Sequence, residues 1–222
     1  MAKTLNEIIA TAKKKGYTID TRPYKLNLIG VRNSAATNQN KFDDQIAFFY
    51  YDQNGNLIGK VAPATTDPST YYLNNPINTR GAAILKSGEY KDAYQLGLHR
   101  NSYQALVQAK PVTVIRDNDR NAYINYFAPT QTGEFGINIH RASLTKDNVT
   151  EIGTDSAGCQ VFQNASDFNS MMQMADTSSQ EYGNKFSYIL IDERDAVKFA
   201  NTSILGIGLI SFAFALYLYN KK

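Results

Sequence analysis

The sequence predicts a mainly β domain, a sandwich or barrel, and three observations carry that expectation. Short strand-like runs recur between turn residues from Lys25 to Ile191. Only two stretches of that domain and its leader, 4–15 and 164–175, repeat apolar groups at helical spacing. The turn Asp52-Gln53-Asn54-Gly55-Asn56 between two alternating runs is a strong hairpin signal.

Taken in order, the first element is a helix over Thr4 to Lys15. Leu5, Ile8, Ile9 and Ala12 share a face, Thr4 serves as N-cap with Glu7 three residues on, and Gly16 stops it. Strands are expected at Lys25–Val31, Gln45–Tyr51 and Leu57–Val61. The stretch 62–80, with three prolines and many Thr and Asn residues, reads as a long surface loop. A strand at Ala82–Leu85 and a turn at Ser87-Gly88-Glu89-Tyr90 come next. Extended segments follow at Ala93–Leu98, Ala105–Gln108, Val112–Arg116 and Phe135–His140. Asn164 to Ala175 returns to helical spacing, with Phe168, Met171, Met172 and Ala175 on one side, and Phe186–Ile191 is the closing strand. The organisation expected is an N-terminal helix at 1–16, one domain at 17–195 and a terminal apolar segment at 200–220.

That last segment has no charged residue from Ala200 to Tyr219, and at 1.5 Å per residue it covers roughly 30 Å, the thickness of a bilayer core. Tyr217 and Tyr219 stand where an aromatic belt sits, and Lys221 and Lys222 stand where headgroups are. A transmembrane helix is expected; a buried C-terminal helix of the domain is the alternative. Arg194 and Lys198 before it balance the two lysines after it, so the side of the membrane stays open. The N-terminus is a charged amphipathic helix and does not read as a signal peptide.

In its 222 residues, 23 Lys and Arg stand against 20 Asp and Glu, a net charge of +3, too small and too scattered to indicate nucleic acid. One cysteine excludes an intrachain disulfide, and with two histidines it does not supply the usual zinc set, so neither metal nor cofactor is expected. Asp117-Asn118-Asp119 begins like a calcium loop, but Ala122 replaces the needed glycine and no glutamate closes it.

The chemistry concentrates between His140 and Cys159. A strand-like run, Gly136-Ile137-Asn138-Ile139-His140, delivers an imidazole, and Ser156-Ala157-Gly158-Cys159-Gln160 presents the single thiol after a polar loop. A thiolate is the nucleophile and a neighbouring imidazole takes its proton. A lone cysteine is also a common buried apolar residue. Gly158 suits a tight turn beside the nucleophile. Ser156 either orients His140 or caps the turn.

This segment resembles the catalytic signature of the L,D-transpeptidases: a strand-borne histidine, a loop of roughly fifteen residues (here 141–155), then Ser/Thr-His-Gly-Cys. Ala157 stands in place of the second histidine, and Val161 in place of the arginine two positions after the cysteine. Pro23-Tyr24-Lys25-Leu26-Asn27-Leu28-Ile29-Gly30-Val31-Arg32, Asn40-Lys41-Phe42-Asp43-Asp44 and Ala83-Ile84-Leu85-Lys86-Ser87-Gly88-Glu89-Tyr90 look like phage-encoded proteins, often of Bacteroidetes hosts. The resemblance covers roughly Tyr17 to Ile191. It implies a mostly β fold in which Cys159 attacks a carbonyl of a peptidoglycan stem peptide, His140 removes the thiol proton, and backbone groups near Gly158 hold the oxyanion. It further implies substrate contacts from Arg141, Gln160 and His99, with Arg141 standing in for the missing arginine; a surface arginine and a structural histidine are the plainer readings. The expected partners are stem peptides, a lipid membrane through the terminal helix, and virion proteins, in a phage particle or bacterial envelope. A non-catalytic, membrane-anchored virion protein that keeps this fold is the alternative.

Overall fold

The computed structural model describes residues 2–33 and 39–195, and the expected membrane span at 200–220 lies outside them. Among the described residues, no helix is long and apolar enough to cross a membrane.

The fold begins with α1 (Leu5–Lys14), whose start is fixed by a reciprocal cap. The Glu7 N–H donates to Thr4 Oγ1 at 3.4 Å, and the Thr4 N–H donates to Glu7 Oε2 at 2.7 Å. Its apolar face, Ile8, Ile9 and Ala12, packs on Ile29, Val31, Ala47, Phe49, Ile189 and Ile191. Those residues belong to β1 (Asn27–Arg32), β2 (Asp44–Tyr51) and β11 (Phe186–Asp192). Burying each such isoleucine contributes roughly 1.5–3 kcal/mol.

Eight strands close a barrel in the order β1-β11-β5-β6-β9-β10-β3-β2, the others being β3 (Leu57–Thr65), β5 (Gly88–His99), β6 (Tyr103–Gln108), β9 (Ile139–Arg141) and β10 (Gln160–Phe162). Pairing is antiparallel except for β1 with β11 and β9 with β10. The hairpin expected around Asp52–Asn56 joins β2 to β3, with Asp52 Oδ1 accepting from the Asn54 and Asn56 N–H groups at 2.8 Å each. A second sheet, β4-β7-β8, comprises β4 (Ala82–Leu85), β7 (Val112–Asp117) and β8 (Thr130–Gly133). The main core lies between this sheet, the barrel interior and α3 (Ala165–Tyr182), and includes Phe48, Leu85, Val114, Phe162, Phe168, Met171, Phe186 and Leu190.

Four expectations need correction. The loop expected over 62–80 is neither wholly loop nor wholly surface: β3 runs on to Thr65, α2 spans Thr70–Asn74, and Thr66, Asp67 and Ser69 are buried. The Gln163 N–H donates to the Pro63 carbonyl, so this proline faces the side where the β10 ladder has ended and its missing N–H costs no pairing. The turn expected at 87–90 is the start of the twelve-residue β5. The strand expected over 135–140 is regular only from Ile139, while β8 and β10 had no counterpart. Finally, α3 continues past Ala175 to Tyr182, because buried Ser178 extends its inner face and accepts from the Leu26 N–H at 3.1 Å.

A buried ionic network braces the chain beside β3. Arg32 is wholly buried, with Nε 2.7 Å from Asp67 Oδ1 and Nη1 3.8 Å from Asp192 Oδ2. Its guanidinium also donates to Thr66 Oγ1 and to the Thr66 and Leu85 carbonyls. Asp44 accepts from Thr66 N and Oγ1 at 2.7 Å; burial and then the Asp67 charge hold its carboxyl well above the usual range.

Candidate active site

Two neighbouring strands carry the pair that cysteine chemistry needs. Parallel β9 and β10 pair Ile139 with Gln160 and His140 with Val161. Side chains alternate along a strand, so Ile139 and Gln160 take the inner face and His140 and Val161 the outer. The Gln160 N–H donates to the Asn138 carbonyl at 2.9 Å, which lays Cys159 alongside Asn138. Cys159 packs next to Val161, Phe42 and Ile152 on that outer side.

His140 is 3 % exposed. Its Nδ1 lies 3.0 Å from the Arg141 carbonyl and 3.2 Å from Tyr103 Oη. A carbonyl only accepts, so Nδ1 carries the proton and Nε2 keeps its lone pair. Nε2 is buried and makes no hydrogen bond of good geometry, with the Asp155 backbone close enough to favour the protonated ring. The His99 ring stacks on His140 at 4.1 Å between centroids and 21° between planes, and His99 Nδ1 meets Asn138 Nδ2 at 3.0 Å. Burial pushes the His140 imidazole down to about 3; the His99 ring adds to this, and the Arg141 carbonyl opposes it. His99 is also lowered, by burial and then by Arg100.

Cys159 is half-buried and its Sγ donates to the Gly136 carbonyl at 3.4 Å. Burial pushes the thiol up, while the Asn138 N–H and Arg100 pull the other way. Thiol and imidazole are therefore both neutral at rest, so the pair is not a preformed thiolate–imidazolium ion pair.

The turn before the thiol is held from below. Ser156 is fully buried; its hydroxyl lies 2.8 Å from the Asp67 carbonyl and 2.9 Å from the Cys159 carbonyl, and it accepts from the Gly158 N–H at 3.2 Å. These bonds cap the turn, and none of them goes to His140. Gly158 sits at φ +123°, and a Cβ there would lie 2.0 Å from the Ala83 carbonyl oxygen, so only glycine fits.

The three expected substrate contacts fall in different places. Gln160 is fully buried inside the barrel, bonded to Tyr188 Oη at 2.8 Å and to the Thr66 and Gly158 carbonyls. Gly30 leaves room for that Tyr188 hydroxyl, since a Cβ there would meet it at 1.9 Å. The expectation that Gln160 touches substrate is corrected on this ground: its amide is spent on the turn, facing away from solvent. His99 is 5 % exposed and supports His140 by stacking. Arg141 is half-buried, donates to Asn169 Oδ1 at 2.8 Å and lies over the Tyr103 and Phe168 rings. A groove of about 250 Å³ runs along His99, Tyr103, His140, Arg141 and Asp155.

Tyr103, Asn138 and Asp67 join the site without having been singled out in the sequence. Tyr103 and Asn138 carry a usable signal, since each lies within one strand length of a histidine in a β-hairpin or strand. Asp67 carries none, because only the tertiary fold brings its carbonyl to Ser156. Among the described residues, no group of three His, Cys, Asp or Glu side chains is placed to hold a metal. No model of a known protein family matches this chain, and no curated protein matches it.

Proposed function

We propose that the protein is a cysteine acyl-transfer enzyme acting on peptidoglycan stem peptides, in the manner of the L,D-transpeptidases that its segment 140–159 resembles. What supports the reading is the β9–β10 pairing, which sets an imidazole with an unengaged Nε2 and a half-buried thiol on one face of adjacent strands. In this mechanism Sγ attacks the carbonyl carbon as its proton passes to His140 Nε2. The Cys159 N–H, which donates to no described residue, serves the oxyanion. Collapse forms the thioester and expels the amine, which takes the proton from His140. An amine acceptor then yields a cross-link, and water yields cleavage. The apolar segment at 200–220 would tether this domain to a membrane, in a virion or a cell envelope.

The test is incubation of the full chain with stem peptides, with and without a D-amino acid acceptor, read by mass spectrometry. The reading expects a thioester on Cys159, exchange or hydrolysis of the peptide, and loss of both in Cys159→Ala. Wild-type turnover in that variant, or no adduct in the native chain, overturns it. A second reading, a membrane-anchored virion protein retaining this fold without catalysis, is favoured by two observations: the Sγ hydrogen bond goes to the Gly136 carbonyl and not to His140, and burial has raised the thiol rather than lowered it. A Cys159 that takes up no stem-peptide acyl group even at alkaline pH, where the raised thiol ionises, selects that alternative.

A further inference from the structure

Arg116 is a charged residue in an apolar row. Along β7, Val112, Val114 and Arg116 share one face, and the two valines are in the main core. Arg116 is 9 % exposed, yet among the described residues no carboxylate lies within ion-pair distance of it. Its Nε donates to Gln131 Oε1 at 2.8 Å, one Nη1 proton reaches the Gly81 carbonyl at 3.3 Å, and the plane lies 4.5 Å over the Phe135 ring. Nη2 donates to no described residue. The guanidinium is thus locked in orientation with part of its donor edge unused. Burial, reinforced by the neighbouring Arg80 charge, disfavours its protonated form. A buried cation held this way lacks its anion.

The unused edge belongs to a groove of about 280 Å³, lined by Tyr72, Ile77, Arg116, Glu134, Phe135 and Ala157 among others. This groove abuts the nucleophile by two routes. Arg116 pairs across the sheet with Ala83, whose carbonyl oxygen occupies the space a Cβ on Gly158 would need. Phe135, under the guanidinium, precedes Gly136, whose carbonyl accepts the Cys159 thiol. Ala157, small where the resembled signature has histidine, forms part of its wall.

We infer that this groove binds a carboxylate-bearing peptide end, with Arg116 taking the carboxylate through its free Nη edge and Phe135, Tyr72 and Ile77 covering the adjoining apolar side chain. Arginine suits a planar carboxylate because its donors are spaced to meet both oxygens. Exposed Glu134 at the lip favours a singly charged anion over a phosphate dianion. The assignment deepens the acyl-transfer reading and rests on it only for the identity of the peptide, since binding at Arg116 requires no turnover.

The probe is N-acetyl-alanyl-alanine as the free acid and as its C-terminal amide, titrated by calorimetry into the full-length Cys159→Ala variant. A charge-assisted pair lost without replacement weakens binding roughly tenfold to a hundredfold. The free acid is expected to bind at least tenfold more tightly than the amide, and Arg116→Gln to abolish that difference. Arg116→Lys, which keeps the charge if the glutamine variant fails to fold, should retain part of it. Equal affinity of acid and amide, preserved discrimination in Arg116→Gln, or no measurable binding of either peptide overturns the assignment. A chain that discriminates acid from amide yet forms no thioester on Cys159 refutes the acyl-transfer reading alone.

Discussion

Replacing Gly158 by alanine tests whether the turn before Cys159 is wedged against the second sheet. A Cβ there would stand 2.0 Å from the Ala83 carbonyl oxygen and 3.2 Å from Ile137 Cδ1. The isoleucine tip can yield a few tenths of an ångström, but the carbonyl belongs to β4, which is fixed in register with β7. Alanine at φ +123° costs on the order of 1–3 kcal/mol in backbone strain. Displacing the turn or β4 costs roughly another 1–3 kcal/mol. The sum, about 2–6 kcal/mol, is a large part of a domain stability of roughly 5–15 kcal/mol. At about 2–4 °C per kcal/mol, the thermal midpoint should fall by roughly 5–20 °C. Gly55→Ala is the control: φ is +79° and no atom lies within 4 Å, so it carries backbone strain without collision and should lose much less. The alkylation rate of Cys159 should change in Gly158→Ala and stay constant in Gly55→Ala. Equal melting points for the two variants would refute the argument that the turn rests on Ala83.

Other substitutions probe the rest of the site. Asp67→Asn leaves Arg32 buried with only the more distant Asp192 and should cost about 3–5 kcal/mol in urea denaturation, whereas Asp20→Asn, which breaks the exposed pair with Arg22, should cost below about 1 kcal/mol. His140 is depressed to about 3 in the fold against 6.5 unfolded, so the unfolded chain binds the proton first. Stability from this group is full above pH 6.5 and drains as pH falls toward 3, by about 1.4 kcal/mol per unit. Between pH 6.5 and 4.5 the native chain should therefore lose about 2–3 kcal/mol more than His140→Gln, measured as paired denaturation curves. The raised thiol predicts that alkylation of Cys159 climbs only at alkaline pH, with no plateau between pH 4 and 8 of the kind an ion-paired thiolate gives. Tyr103→Phe removes one contact to His140 Nδ1 and should cost about 1 kcal/mol while leaving the Arg141 carbonyl bond in place.

Local signals were legible wherever a few neighbouring residues decide the outcome. Thr4 with Glu7 marks the start of α1, Asp52 to Asn56 marks the hairpin, and alternation marks β2, β6 and β7. The short strands were not legible, because β10 is three residues long and is defined by partners at Thr65 and His140. The Thr-rich stretch after Ala62 looks solvent-loving on its own. It is buried because Arg32, far away in sequence, needs the Thr66 and Asp67 oxygens. Proximity of His140 and Cys159 in sequence suggested the site, but the tautomer and the His99 stack depend on how β5 and β9 come together, and the inward turn of Gln160 on how β10 faces β11. Arg116 was within reach, since it falls in step with Val112 and Val114 on a row that alternation assigns to the core.

The placement of β11 also governs when the barrel can close. This strand lies between β1 and β5, and it joins Ile29 to Ile189 across most of the domain. Contacts so distant along the chain form slowly, after loop entropy has been overcome. A ribosome still short of Phe186 carries a polypeptide whose sheet has a gap between its first and fifth strands. The barrel therefore closes in one late event, near the end of translation of the domain.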